Sequence, residues 1–271
     1  MYSLSSRRMK FTAVSDGSFA LDGGLMYGIV PKIFWQKWHD VDEMNRIRLG
    51  LWCLICEHPD GLIVVDTGCG DKLGEKQVEI FDLKRPDGEL IDGFKALGYN
   101  PGDVKAVILS HLHFDHNGGV THKAEDGSYG LQFPKASVYS TRIEYKEATE
   151  INERTKGSYF ANTLKGYEPG GRMYLLEEER EILPGIHLMP APGHTRGHQI
   201  VLFDDGDFKL AYWGDLIPMS TFAYPPYIAA IDNYPMETLA QKKTLLARAK
   251  EERWRQFYCH NFDGPFGEPP Q

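Results

Sequence analysis

Short apolar runs broken by polar turns recur along most of this chain, and their lengths predict strands more often than helices. Leu51–Glu57 and Leu62–Asp66 flank His58-Pro59-Asp60-Gly61, a turn sequence, so the two runs predict a β-hairpin. Val104–Leu109 predicts a strand that runs directly into a cluster of histidines, and Ala136–Ser140 predicts another. Ile182–Met189, Gln199–Phe203, Phe208–Trp213 and Gln256–Cys259 read as further strands, with Asp204-Asp205-Gly206-Asp207 as a turn between two of them. Helical spacing is confined to fewer stretches. Gly88–Leu97 reads as a short helix stopped by Gly98, and Thr141 as the cap of a helix reaching about Ile151. Met236 to about Trp254 is the longest helical pattern, with Leu239, Leu245, Leu246 and Ala249 available for one face. Strands in antiparallel-looking groups punctuated by helices predict sheets sandwiched between helices, rather than a doubly wound fold. Asn152–Met173 is polar and aromatic and carries Gly157, Gly166, Gly170 and Gly171. It predicts a lid or cap insertion, spanning about 141–175, on a single domain covering 1–271.

Composition narrows the function. The chain has 271 residues, 42% hydrophobic, and a formal net charge of −8 spread along its length. That balance argues against a nucleic-acid backbone as the main partner. No apolar stretch nears the roughly 20 residues of a membrane span. Met1–Lys10 has basic residues but no apolar signal core after them, so a cytoplasmic location is expected. The four cysteines are Cys53, Cys56, Cys69 and Cys259. Cys53-x-x-Cys56 lies inside a predicted strand with no second such pair, which favours buried free thiols over a zinc or redox site. Cys259 adjoins His260, near the expected site, with core packing as its ordinary role.

The chemistry concentrates in His111-Leu112-His113-Phe114-Asp115-His116, at the mouth of the predicted Val104–Leu109 strand. Imidazoles and a carboxylate packed this closely make sense if a cation holds them together; without one they are costly to bury and repel when protonated. Three later sites supply further donors where a strand meets a loop: His194 in Pro192-Gly193-His194-Thr195, Asp215 after Leu210–Gly214, and His260 after Phe257-Tyr258-Cys259. Zinc takes these ligand types, and iron, manganese and cobalt fit them too.

From about Phe11 to Phe262 the chain resembles dinuclear hydrolases of the metallo-β-lactamase superfamily. The resemblance rests on Asp66-Thr67-Gly68, His111-x-His113-x-Asp115-His116, Gly193-His194, Gly214-Asp215 and His260, in that order. It implies an αββα sandwich, in the α/β (α+β) class, with two mixed sheets flanked by helices. It also implies two divalent metal ions: His111, His113 and His194 on one, Asp115, His116 and His260 on the other, and Asp215 bridging. Two cations so placed lower the proton affinity of water between them, which suits attack on an ester, lactone or phosphoester. Asp115 is the residue expected to act in catalysis, orienting the nucleophile or carrying a proton. Asp66, at the end of an apolar run, is expected to orient a ligand histidine, and His198 to act from behind the ligands. His39, His58, His122 and His187 are read as surface or packing residues.

The segment Asp22–Lys32 with Trp35 and Trp38 resembles the entry segment of N-acyl-homoserine lactonases and methyl parathion hydrolase-like enzymes. There it helps form the substrate pocket, so Met26, Tyr27, Trp35 and Trp38, with Phe34 beside them, are expected to line an apolar cleft. Phe222, Tyr224 and Tyr227 follow Asp215 and are expected to form another wall. The partner is then a small molecule with an apolar part, and exposed aromatics of the entry segment allow a homodimer. One position departs from the pattern. Homoserine lactonases of this group usually carry tyrosine three residues after the bridging aspartate, and here that residue is Pro218. A lactonase or arylesterase is the leading reading, with phosphotriesterase activity beside it. A glyoxalase-II-like thioesterase uses the same ligands but lacks a basic C-terminal cluster here. A metal-binding protein without catalysis is the reading from another class, though every ligand position is filled.

Overall fold

In the computed structural model, described for residues 2–167 and 171–270, two sheets face each other and helices cover both outer faces. The first sheet holds β1 (Tyr2–Ser5), β2 (Lys10–Asp22), β3 (Arg46–His58), β4 (Gly61–Val65) and β5 (Val104–Ile108) in sequential order. A small hairpin, β6 (Thr121–Lys123) and β7 (Tyr129–Leu131), stands apart, and β8 (Ser137–Thr141) and β9 (Met173–Leu176) complete the first sheet beyond β5. The second sheet runs β10 (Arg180–Leu183), β11 (Ile186–Pro190), β12 (Gln199–Asp204), β13 (Lys209–Tyr212), β14 (Arg255–Phe257) and β15 (Phe266–Gly267). Both sheets are mixed: β4, β5, β8 and β9 pair in parallel, as do β13 and β14, and the other pairings are antiparallel.

Alternation along the strands explains the layers. Ile63 and Val65 of β4, Ile108 of β5, Val201 and Phe203 of β12 and Phe257 of β14 share the core between the sheets. Their neighbours face outward. Short helices α1 (Gly23–Tyr27), α2 (Lys32–Trp35) and α3 (Glu75–Ile80) precede α4 (Leu90–Ala96), and α5 (Phe114–Asn117) leads to α6 (Arg142–Thr149); Val64, Val107 and Val138 pack with Leu90 and Phe94 of α4 and Ala148 of α6. Ile200, Leu202 and Ala211 pack with Leu245, Leu246 and Ala249 of α7 (Pro235–Glu251). Strands covered on both faces read as continuous apolar runs, which is why the sequence shows runs rather than clean alternation. The same periodicity separates the two cysteines of Cys53-x-x-Cys56: Cys53 faces the outer layer, Cys56 the inter-sheet core, and both are buried free thiols.

The hairpin, the short helix before Gly98 and the Thr141-capped helix form as expected; the Thr141 side chain accepts from Glu144 N. Ile182–Met189 is not one strand. Pro184-Gly185, with Gly185 at φ 82°, folds it into the β10–β11 hairpin. The 13-residue β2 has no counterpart in the predicted strands, because Ser15, Asp16 and Gly17 interrupt its apolar pattern at a register shift. Of the stretch 141–175, the ends belong to the sandwich as β8, α6 and β9, and Tyr159 and Tyr167 are buried in the outer core. Residues 168–170 of that stretch lie outside the described residues. No helix among the described residues is long and apolar enough to cross a membrane.

Candidate metal centre

The candidate ligands sit at the C-terminal ends of strands that point the same way. His111 and His113 follow β5, Asp115 and His116 lie on α5 (Phe114–Asn117), His194 follows β11, Asp215 follows β13 and His260 follows β14. Open sheets gather ligands at this edge, because the chain turns there and frees side chains to converge. Asn117 amide nitrogen donates to the carbonyls of Leu112 and His113 and folds the histidine loop tightly. Gln199 N donates to Ser110 O at 2.9 Å, tying this loop to the opposite sheet. Gly214, at φ 52°, allows the turn that aims Asp215; a Cβ there would lie 2.6 Å from His198 Nε2.

Four of the five rings have one nitrogen anchored to an acceptor. His194 Nδ1 meets Asp232 Oδ1 at 2.8 Å, His116 Nδ1 meets Asp66 Oδ2 at 2.7 Å, and His260 Nδ1 meets the carbonyl of Gly50 at 2.8 Å. His111 Nδ1 lies 3.1 Å from Ser110 Oγ, whose own proton goes to Asp66 Oδ2. A carbonyl, a carboxylate or a committed hydroxyl can only accept, so these Nδ1 atoms carry the proton and the Nε2 atoms present lone pairs. Those lone pairs converge on Asp215. Its Oδ1 lies 3.3 Å from His116 Nε2 and 3.1 Å from His260 Nε2; its Oδ2 lies 3.2 Å from His194 Nε2 and 4.0 Å from His111 Nε2. Asp115 Oδ2 joins the first pair, 3.6 Å from His116 Nε2 and 3.5 Å from His260 Nε2. His113 Nδ1 joins the second, 3.0 Å from His194 Nε2.

This arrangement fits cations. The Nε2 atoms of His111, His113 and His116 are buried without a hydrogen-bond partner, and the approach of His116 Nε2 to Asp215 lacks hydrogen-bond geometry. Buried lone pairs pointed at one another are costly unless something positive lies among them. The donors divide into His111, His113, His194 and Asp215 on one side, and His116, Asp215, Cys259 and His260 on the other, within each set no ligand atoms being more than 4.8 Å apart. Cys259 enters through its Sγ, 3.5 Å from Asp215 Oδ1, with Asp115 approaching the same set.

The electrostatics are polarised. Burial, then the surrounding imidazoles, push His111 and His113 well below the usual histidine range. Burial works against charge on His116 too, but Asp115, Asp215 and Asp66 outweigh it and raise its pKa well above normal. Burial likewise opposes charge on Asp215, and His260, His116 and His194 outweigh it, holding the carboxylate well below its ordinary value. His198 is no ligand: its Nδ1 donates to Ala191 O, its Nε2 accepts from Asp215 N at 3.0 Å, and burial lowers its pKa to about 3. Asp66 is not one either. It accepts from Ser110 N, Ser110 Oγ, His116 Nδ1 and Tyr212 Oη, which uses both oxygens.

A cleft opens on the cluster. Phe19, Leu21, Leu25, Met26, Leu49, Phe81, Phe114 and Ile231 form its apolar walls, and His113, Asp115, Asp215 and His260 its polar end. Gly157 and Ser158, from the stretch expected to form a lid, also line it. Of the aromatic and Met residues expected at the pocket, Met26 alone is among these lining residues. Tyr27 stacks on Trp35 with centroids 5.4 Å apart and packs on Phe222 and Tyr227, while Trp38 and Tyr224 also pack on Tyr227. The two aromatic clusters thus merge into one assembly that packs ring against ring, with Trp38 and Tyr224 exposed. Tyr27 Oη is likewise committed, to His39 Nε2 and Thr221 Oγ1. Sequence reasoning missed Asp232, Ser110, Tyr212 and the Gly50 carbonyl. A backbone carbonyl leaves no sequence signal, and a lone aspartate in Ala229-Ala230-Ile231-Asp232 looks like any turn residue.

Known proteins share this architecture. Residues 48–260 match the metallo-beta-lactamase superfamily model. An N-acyl homoserine lactonase of Bacillus cereus is 29% identical over 170 residues, 59% of this chain and 60% of that protein, so the match spans about three-fifths of the relative's length. A probable metal-dependent hydrolase from Staphylococcus aureus superposes with a TM-score of 0.88 at 26% identity, over 95% of this chain and 91% of that one. A dizinc quorum-quenching lactonase, solved with the product N-hexanoyl-L-homoserine, shares the fold at TM-score 0.79 and 22% identity, over 98% and 92% of the two chains. With the fold, the converging donors and a family match over most of its length, the chain belongs to the metallo-beta-lactamase superfamily.

Proposed function

We propose that this chain is a two-cation hydrolase that opens lactones or cleaves esters bearing an apolar part. His111, His113 and His194 would hold one cation and Asp115, His116 and His260 the other, with Asp215 available to both; zinc is the first choice of metal. The observation that carries this reading is the convergence of anchored imidazoles on both oxygens of Asp215 at the polar end of an otherwise apolar cleft. Bound cations supply Lewis-acid polarisation of the substrate carbonyl and lower the pKa of water. The chain's own residues do the rest. Asp66, Asp232 and the Gly50 carbonyl keep His116, His194 and His260 in one tautomer. Asp115 combines a place on the cleft wall with a carboxylate free of any anchoring hydrogen bond to the protein among the described residues, so it is the group that carries a proton to the leaving oxygen. Leu21, Leu25, Phe81 and Ile231 exclude water and take the apolar part.

Among the described residues no lysine or arginine lines the cleft, which disfavours a glutathione thioester with its carboxylates. The lactonase names of the sequence relatives support the lactone arm. The test is hydrolysis by protein of known metal content, using a long-chain acyl-homoserine lactone, a simple γ-lactone, paraoxon and S-lactoylglutathione. Preference for a lactone is expected, and preference for the thioester overturns the substrate class. No turnover of any member with two cations bound per chain leaves the metal centre standing but removes the lactone and ester reading.

A further inference from the structure

Glu144 is a fully buried carboxylate on the first turn of α6 that no step above uses. Among the described residues no lysine, arginine or histidine bonds to it; its oxygens accept from donors that come from different loops. Oε1 accepts from Leu112 N at 2.9 Å and from Tyr159 Oη at 2.8 Å, and Oε2 accepts from Thr195 Oγ1 at 2.5 Å. Leu112 stands between His111 and His113, and Thr195 follows His194. Tyr159 sets its ring edge-on to the His113 imidazole, centroids 4.6 Å apart. The Thr141 cap of the same helix donates to Gly197 O, and Gly197 lets the helix approach so closely that a Cβ would lie 2.2 Å from Glu144 N. One carboxylate therefore joins the loop after β5, which belongs to the first sheet, to the loop after β11, which belongs to the second.

We propose that Glu144 is the positioning residue of the cation site formed by His111, His113 and His194. It fixes the two loops at the spacing where His113 Nδ1 and His194 Nε2 lie 3.0 Å apart. The His116 and His260 side is held separately, by Asp66 and Gly50, and makes no contact with Glu144. Loss of Glu144 therefore weakens one cation site and spares the other. The inference rests on the two-cation reading above.

The experiment is stepwise cobalt(II) titration of metal-free protein, followed by visible absorption, with bound metal counted by elemental analysis. Wild type, Glu144→Ala, Glu144→Gln, Thr195→Val and His194→Ala are compared, each checked for folding by circular dichroism. Wild type is expected to take up two cations. His194→Ala removes a ligand outright and is expected to lose one of them. Glu144→Ala is expected to weaken that same site about 10- to 100-fold, as removal of a ligand's supporting partner does, and to leave the other within about twofold. Glu144→Gln keeps an acceptor for Leu112 and Tyr159 and a donor for Thr195, so it restores most of the affinity. Thr195→Val cuts one link at nearly constant volume and is expected to give a smaller loss at the same site, which keeps the test open if Glu144→Ala does not fold. Two unchanged sites in Thr195→Val and in folded Glu144→Ala, or equal weakening of both sites, overturns the proposal. Failure of wild type to bind two cations, or indifference to His194→Ala, overturns the two-cation reading instead.

Discussion

Asp232 offers the sharpest perturbation of the centre, because it is buried at 3% exposure and its Oδ1 holds His194 Nδ1 at 2.8 Å. Asp232→Ala deletes the acceptor without touching a ligand. The ring is then free to move its proton to Nε2, the nitrogen that faces Asp215 Oδ2 at 3.2 Å, and a protonated Nε2 cannot bind a cation. Losing such a partner costs roughly 10- to 100-fold in metal affinity, about 1.4–2.7 kcal/mol. In either tautomer the buried Nδ1 is left without its partner, which adds a folding cost of about 1–3 kcal/mol. Asp232→Asn keeps an acceptor oxygen and removes only charge, so its loss of affinity is expected to stay below about tenfold. The contrast matters because His194 is raised above the usual histidine pKa: burial opposes its charge, and the carboxylates of Asp215 and Asp232 outweigh burial. The assay is competition between metal-free protein and a chromophoric zinc chelator, giving both dissociation constants. Affinities within twofold of wild type in a folded Asp232→Ala protein would refute the argument that this hydrogen bond selects the ligating tautomer.

Asp115→Asn is expected to lower kcat for a chromogenic ester at least about 100-fold with the His111, His113 and His194 site still filled; unchanged kcat removes Asp115 as the proton carrier. Chelation is expected to lower the melting temperature, since ligand at 1,000 times its dissociation constant contributes about 4 kcal/mol, and an identical melt with and without chelator counts against bound cations. Gly214→Ala places a Cβ within 2.6 Å of His198 Nε2 and 2.8 Å of Ser110 Cβ at positive φ, so a loss of stability together with cation affinity is expected in denaturation and metal counting. Lys242 is fully buried, its Nζ donates to Tyr227 O, and burial lowers its pKa to about 7. Its folded pKa lies below the unfolded value of 10.5, so between about pH 7 and 10 the unfolded chain binds the extra proton and stability rises with pH. Relative to Lys242→Met, wild type is expected to gain about 2 kcal/mol between pH 7 and 9 in urea denaturation, and a flat difference refutes the assignment.

The converging donors were legible in the sequence because they fall where apolar runs end, and the order of runs already implies a shared sheet edge. His111 and His113 after Val104–Leu109, Asp215 after Leu210–Gly214 and His260 after Phe257-Tyr258-Cys259 all carry that signal. Asp66 was legible for the same reason, as a carboxylate closing Leu62–Val65 where a charge has no reason to be buried alone. The pocket was not legible, since an aromatic residue serves a cleft wall and a packed core equally well. Trp35 and Tyr27 stack on each other, whereas Leu21, Leu25, Phe81 and Ile231, which give no aromatic signal, line the cleft. The Pro184-Gly185 break was visible, yet flanking Ile182 and Ile186 continue the apolar run on both sides and mask it.

The anchors explain why the centre needs both sheets. Asp66 and Ser110 reach His116 and His111 from the first sheet, and the Gly50 carbonyl of β3 in that sheet holds His260, which follows β14 of the second. Tyr212 of β13 in turn donates across the interface to Asp66 at 2.8 Å. The first sheet thus fixes a ring carried by the second, the second steadies through Tyr212 the carboxylate that anchors His116, and neither half contains a complete set of donors or of their supports. On the two-cation reading, cation binding would be coupled to docking of the sheets: whatever loosens the inter-sheet core around Val65, Tyr212 and Phe257 would also misalign the candidate ligands, and a cation held among them would keep the sandwich shut.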